Sequence, residues 1–193
     1  MGHPRRIAFA ALVVAVAALV AACSSGQDRT LQGSVALVLG ASRTMAGVQA
    51  AASSEDPVGL LNAASISIAD VEARKADGSW VPIDASPPAI VDLLALANAG
   101  GTAALAPNLL PEGQYNALQL HITQVQLTRL NGTRVTLAPP GTGWVVLIPV
   151  DFGVVDDQAT IVTLKVRLDL SFKFVNGEFE FEPEVELEGV EHT

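Results

Sequence analysis

The chain has 193 residues, half of them hydrophobic, and a formal charge of −9 from 20 acidic and 11 basic residues. Such a surface repels nucleic acid and anionic headgroups, so neither is an expected partner, whereas cationic groups and metal ions are electrostatically allowed. The single cysteine, Cys23, excludes an intramolecular disulfide and any multi-cysteine metal site.

The first predicted element is a targeting segment. Arg5 and Arg6 precede an unbroken apolar run from Ile7 to Val20, too short for a comfortable membrane span. Small residues then lead into a cysteine at Val20-Ala21-Ala22-Cys23, which resembles the lipobox of bacterial lipoproteins. The resemblance implies cleavage before Cys23 and acylation of its sulfur and new amino group. Residues 1–22 are then a lipoprotein signal peptide and 23–33 a lipid-anchored polar tether. Two or more acyl chains, at about 0.8 kcal/mol per buried methylene, hold a protein firmly on a bilayer, where one holds it marginally. Cleavage would also remove Arg5 and Arg6, leaving nine basic against twenty acidic residues, a formal charge of −11. The expected location is the bacterial cell envelope, with the domain outside the cytoplasm and its partner a membrane reached through lipid. In a cell with two membranes, Ser24 resembles an outer-membrane sorting context.

From Ser34 to Val190 the chain reads as one domain, mostly of strands. The candidates are "SVALVL" (34–39), "SISIADVEAR" (65–74), "SWVPI" (79–83), "ALQLHITQVQLTRL" (117–130), "TRVTL" (133–137), "WVVLIPV" (144–150), "TIVTLKVRLDLSFKF" (160–174) and a final glutamate-rich strand. Their lengths and intervening turn residues predict an all-β sandwich or barrel. Arg43 to Ala63 is Ala/Ser-rich and fits a short helix; "IVDLLALANAGGTAALA" (90–106) fits either a helical turn or an extended segment. Asp77-Gly78 marks a turn. Around Asn131-Gly132, matching the apolar faces requires a three-residue loop, Leu130-Asn131-Gly132, with Gly132 left-handed. Upstream, the inward set Leu118, Leu120, Ile122 changes phase to Val125, Leu127, which predicts a bulge near Thr123-Gln124.

The end of the chain, "FKFVNGEFEFEPEVELEGVE" (172–191), places Asn176-Gly177 between two alternating runs, the signal of a two-residue type I′ hairpin. That turn sets Val175 opposite Glu178 and predicts a continuous ladder: Lys173 with Glu180, Ser171 with Glu182, Asp169 with Glu184, Arg167 with Glu186, Lys165 with Glu188. One face is then apolar and the other a charged, solvated stripe. Pro183 cannot donate to a further strand, which predicts a sheet edge. Asp169, Glu182 and Glu184 are left without a basic partner and form the candidate metal site. Calcium needs six to eight oxygens, however, and three carboxylates on an open sheet supply too few.

Little else points to chemistry. His3 leaves with the signal, His192 is next to last, and His121 reads as an outward strand residue between Leu120 and Ile122. There is no H-E-x-x-H and no G-x-S-x-G. "ALVLGASRTMAG" (36–47) resembles the opening turn of short-chain dehydrogenases, but Thr44 and Ala46 stand where further glycines are needed and no βα alternation follows. "PPGTGW" (139–144) lacks a P-loop lysine. No enzyme activity and no cofactor are expected. Trp144 is the candidate ligand-stacking ring, with packing at a strand start as the competing reading for both it and Trp80.

Five landmarks, "DGSWVPI" (77–83), "VDLLALAN" (91–98), "LLPEGQYNALQL" (109–120), "NGTRVTLAPP" (131–140) and "FEFEPEVEL" (179–187), resemble in order and spacing the domain of unknown function 4382 family of secreted proteins and lipoproteins. Gly40-Ala41-Ser42 replaces the family's acidic turn after the first strand, and "VRLDLSF" (166–172) keeps only Asp169 of its penultimate-strand acids. The resemblance implies an immunoglobulin-like or transthyretin-like antiparallel β-sandwich and no established activity. Two functions follow as expectations: a non-catalytic envelope module for structural support or protein interaction, or a ligand-binding module for polysaccharide or a divalent cation.

Overall fold

The computed structural model describes residues 31–43, 56–83 and 89–193. The signal segment, Cys23 and the tether through Thr30 lie outside these, as do 44–55 of the Ala/Ser-rich stretch. The described chain is predominantly β and builds two main sheets around one apolar core.

The first sheet has four strands. β1 (Gln32–Ser42) lies between β5 (Thr102–Pro111) and β9 (Ala159–Arg167), and β12 (Val185–His192) pairs with β9 at the sheet edge. β1 therefore starts two residues before the predicted Ser34, inside the predicted tether. The sheet is not wholly antiparallel as expected, because β1 and β9 run parallel from Ser34–Ala159 to Ser42–Arg167. More than a hundred residues separate these strands in sequence, so no tight turn constrains their direction. β1 carries apolar residues at nearly every position, as a central strand does, with Val35, Leu37 and Leu39 buried inward. Burial of each such side chain contributes about 1.5–3 kcal/mol.

The second sheet is built on two long strands, β2 (Leu61–Lys75) and β6 (Gly113–Arg129). The far side of β2 takes β4 (Ala89–Asp92) along its first half and β3 (Trp80–Ile83) along its second. The far side of β6 takes β8 (Trp144–Val154) along its first half and β7 (Arg134–Leu137) along its second. The predicted bulge separates those halves: Ser67 faces Gln124 but Ile68 faces Ile122, which leaves Thr123 unmatched. Leu118, Leu120 and Ile122 before it and Val125 and Leu127 after it are all buried. The loop after β6 has the three predicted residues, closed by Arg129 N–H donating to Thr133 O, with Gly132 at φ 82°.

The segment from Ile90 takes both predicted forms in turn. β4 ends at Asp92, whose carboxylate accepts from Ala95 N–H at 3.0 Å and caps helix α1 (Leu93–Ala99). Leu93 and Leu94 of α1 are buried in the common core.

The last hairpin, β10 (Phe172–Val175) and β11 (Glu178–Phe181), has the predicted register, from Phe172–Phe181 to Val175–Glu178. Its turn residues have the required positive φ, 52° at Asn176 and 87° at Gly177. Beyond it the predicted continuous ladder fails. Leu168–Ser171 forms a short helical turn, α2, which ends β9 and takes the chain out of the first sheet. Residues 182–184, including Pro183, join β11 to β12 outside either strand. When pairing resumes, Val166 faces Val185 and Lys165 faces Glu186, two residues away from the predicted partners. The edge position of the final strand is as predicted.

Candidate functional site

The hairpin is held by aromatic contacts. Phe172 and Phe181 pack at 5.0 Å between ring centroids, and Phe181 meets Trp144 edge-on at 5.2 Å. The Arg129 guanidinium lies over Phe174 and Phe179, at 5.7 and 5.2 Å, and donates to Gly177 O at 3.2 Å. Trp144 is therefore a core residue, 8% exposed, and does not present a ring face to solvent as ligand stacking requires. Trp80 is the more open of the two tryptophans, at 37%.

The three acids of the candidate metal site are each engaged differently. Glu182 is bonded to Lys173, and this hydrogen bond, followed by the attraction between their opposite charges, holds the Glu182 carboxyl below its ordinary range and raises Lys173. Asp169 sits on α2, with its carboxylate 3.6 Å from the Arg167 guanidinium. The backbone of Glu184 is tied to the other side of that turn, its N–H donating to Ser171 Oγ at 2.9 Å. The predicted facing of Asp169 and Glu184 is lost with the ladder, because Arg167 N–H donates to Glu184 O instead. Among the described residues, no group of three or more His, Cys, Asp or Glu side chains is placed to hold a metal ion.

A different polar site lies on the outward face of the second sheet. Asp70 and Glu72 alternate with Val71 on β2, so both point away from the core. Ladder pairing sets His121 opposite Asp70 and Gln119 opposite Glu72 on β6. His121 Nδ1 lies 3.4 Å from Asp70 Oδ2 and its Nε2 3.3 Å from Thr142 O, while Gln119 Nε2 donates to Glu72 Oε2 at 3.5 Å. His121 rests directly on Gly143, where a Cβ would come within 2.3 Å of Nε2. The next strands out carry apolar groups on the same face: Trp80 and Pro82 on β3, Val145 and Leu147 on β8. A cavity of about 250 Å³ results, with a polar floor of Asp70, Glu72, Gln119 and His121 and walls that include Pro82 and Val145. At one end Arg74 is held by Asn116 Oδ1 at 2.8 Å and lies 5.7 Å from the Trp80 ring centroid.

Sequence reading placed His121 on an outward strand face but did not find its neighbours. Asp70 and His121 are 51 residues apart, and only the bulged β2–β6 ladder brings them together. The outward polar phase of "IADVEAR" (68–74) was the available signal.

No curated protein and no solved structure shows a significant match to the chain. A family model described as a domain of unknown function (DUF4382) matches residues 52–183. The match runs from before β2 through the last hairpin and leaves out β1 and β12, so it is shorter than the predicted resemblance. It covers more than half of the chain, which therefore belongs to the DUF4382 family.

Proposed function

We propose that this protein is a lipid-anchored component of the bacterial cell envelope whose domain is a non-catalytic module for structural support or protein interaction. The observation that carries the reading is the position of Cys23, the sole cysteine, directly after a charged start, an apolar run and Val20-Ala21-Ala22. The first described strand begins at Gln32, so a short polar stretch would hold the domain close to the bilayer. An immunoglobulin-like or transthyretin-like arrangement is the finer form of the sandwich that we favour. The non-catalytic reading rests on the sequence, which offers no nucleophile and base in a recognisable spacing. Replacing Cys23 by serine is expected to move the protein from the membrane fraction to the soluble fraction. Undiminished membrane retention of the Cys23→Ser protein would contradict the anchor.

The second reading is a ligand-binding module for polysaccharide or a divalent cation, and one observation, the cavity over Asp70, Glu72, Gln119 and His121, supports its polysaccharide form. It does not depend on the anchor.

A further inference from the structure

We propose that the outward face of the six-stranded sheet, between β3 and β8, binds a glycan containing amino-sugar residues with free ammonium groups. The inference rests on the ligand-binding reading above and is independent of lipidation.

Charge selects a cation. The cavity lining contains two carboxylates, Asp70 and Glu72, and no lysine or arginine. The nearby Arg74 is tied to Asn116 and lies over Trp80. The chain as a whole is at −9. An acidic glycan would be repelled, and an ammonium group would meet two carboxylates about 7 Å apart along one strand face.

The remaining groups select a saccharide over a bare metal ion. Asp70 and Glu72 already engage His121 and Gln119, and among the described residues no third acid or histidine converges with any two of these for coordination. An amide and an imidazole on the floor offer donors and acceptors for hydroxyl groups. The walls are apolar: Pro82 on one side and Val145 on the other, with Leu147 beyond it. Val145 and Leu147, neighbouring outward positions on one strand, are 58% and 55% exposed and extend the apolar side of the cavity. A pyranose has the matching division, a hydroxyl and amine rim with apolar C–H faces. The cavity, about 250 Å³, is just below the range of about 300–1,000 Å³ typical of pockets for drug-sized ligands, which suits a single ring of a longer chain.

The test is calorimetric titration of the intact protein in detergent, at pH 6, with a β-1,4-linked glucosamine tetramer, its fully N-acetylated counterpart and a tetralysine peptide. The glucosamine tetramer is expected to bind, at least tenfold more tightly than either of the others and less tightly as salt rises. The isosteric pair Asp70→Asn with Glu72→Gln should weaken it tenfold or more. Should that pair fail to fold, Val145→Ser, on the cavity wall, should weaken it several-fold. Absence of binding by the glucosamine tetramer would overturn the proposal. Equal binding of tetralysine would also overturn it, because the face would then be an unspecific acidic surface. Unchanged affinity in the variants would place the site elsewhere.

Discussion

Arg167 is bonded to Glu186, Nη1 to Oε2 at 3.3 Å, although the β9–β12 ladder places Lys165 and not Arg167 opposite Glu186. In the same way Lys165 reaches Glu188. Both ion pairs are those that an unbroken hairpin ladder would have made. They survive a two-residue change of register because long basic side chains span the diagonal between neighbouring strands. The change itself is made by α2, whose far end is secured by the fully buried Ser171. Its Oγ accepts from Glu184 N–H, and its carbonyl accepts from Glu182 N–H.

Ser171→Ala is therefore expected to destabilise the fold by about 1–3 kcal/mol, because Glu184 N–H would lose its partner in a part-buried site. Urea unfolding measures this. Glu186→Gln, at the half-exposed partner of the ion pair with Arg167, should cost less, because an ion pair with an open carboxylate is screened by solvent. A larger loss in Glu186→Gln than in Ser171→Ala would show that the ion pairs, and not the serine, hold the turn.

Gly143→Ala is expected to cost about 1–3 kcal/mol through overpacking. A Cβ there would lie 2.3 Å from His121 Nε2 and 2.8 Å from Ile122 O, so both a side chain and a backbone group must give way. The accompanying observation is displacement of the His121 ring signals by NMR. Thermal unfolding unchanged from wild type would mean that the loop before β8 yields without penalty.

Tyr115 donates to Pro111 O at 2.7 Å and stacks on Phe152 at 5.1 Å. Tyr115→Phe is expected to cost about 0.5–1.5 kcal/mol for the lost hydrogen bond. Burial, and secondarily the charge of Asp77, raises the Tyr115 pKa above its ordinary value of 10.0. The folded state thus holds the phenolic proton more tightly than the unfolded chain. That contribution is complete below about pH 10 and is lost as pH rises through the folded value. The urea midpoint of the wild type should fall more steeply above about pH 10 than that of Tyr115→Phe. As the sole tyrosine, Tyr115 can be followed directly by tyrosinate absorbance.

Several features were legible because their causes are local. Asn176-Gly177 gave the last hairpin its register, and the phase slip at Thr123 placed the bulge, since alternation and turn chemistry act over a few residues. The break at Leu168–Ser171 was not legible. "VRLDLSF" alternates well enough for a strand, and only tertiary packing, with Leu168 and Ser171 both buried, turns the chain there. Asp169, Glu182 and Glu184 were grouped by extending a correct register across that turn. Trp144 was given two readings from sequence, and its contact with Phe181 decides for the core. The cavity over Asp70 and His121 was out of reach for another reason. Its floor depends on a long-range ladder with several register shifts, which local patterning does not encode.

The most direct test of envelope anchoring is mass spectrometry of the N-terminal peptide of the protein purified from its own membranes. The expected result is a chain that begins at Cys23 and carries acyl groups on that residue. A chain that begins elsewhere, or an unmodified Cys23, would contradict it.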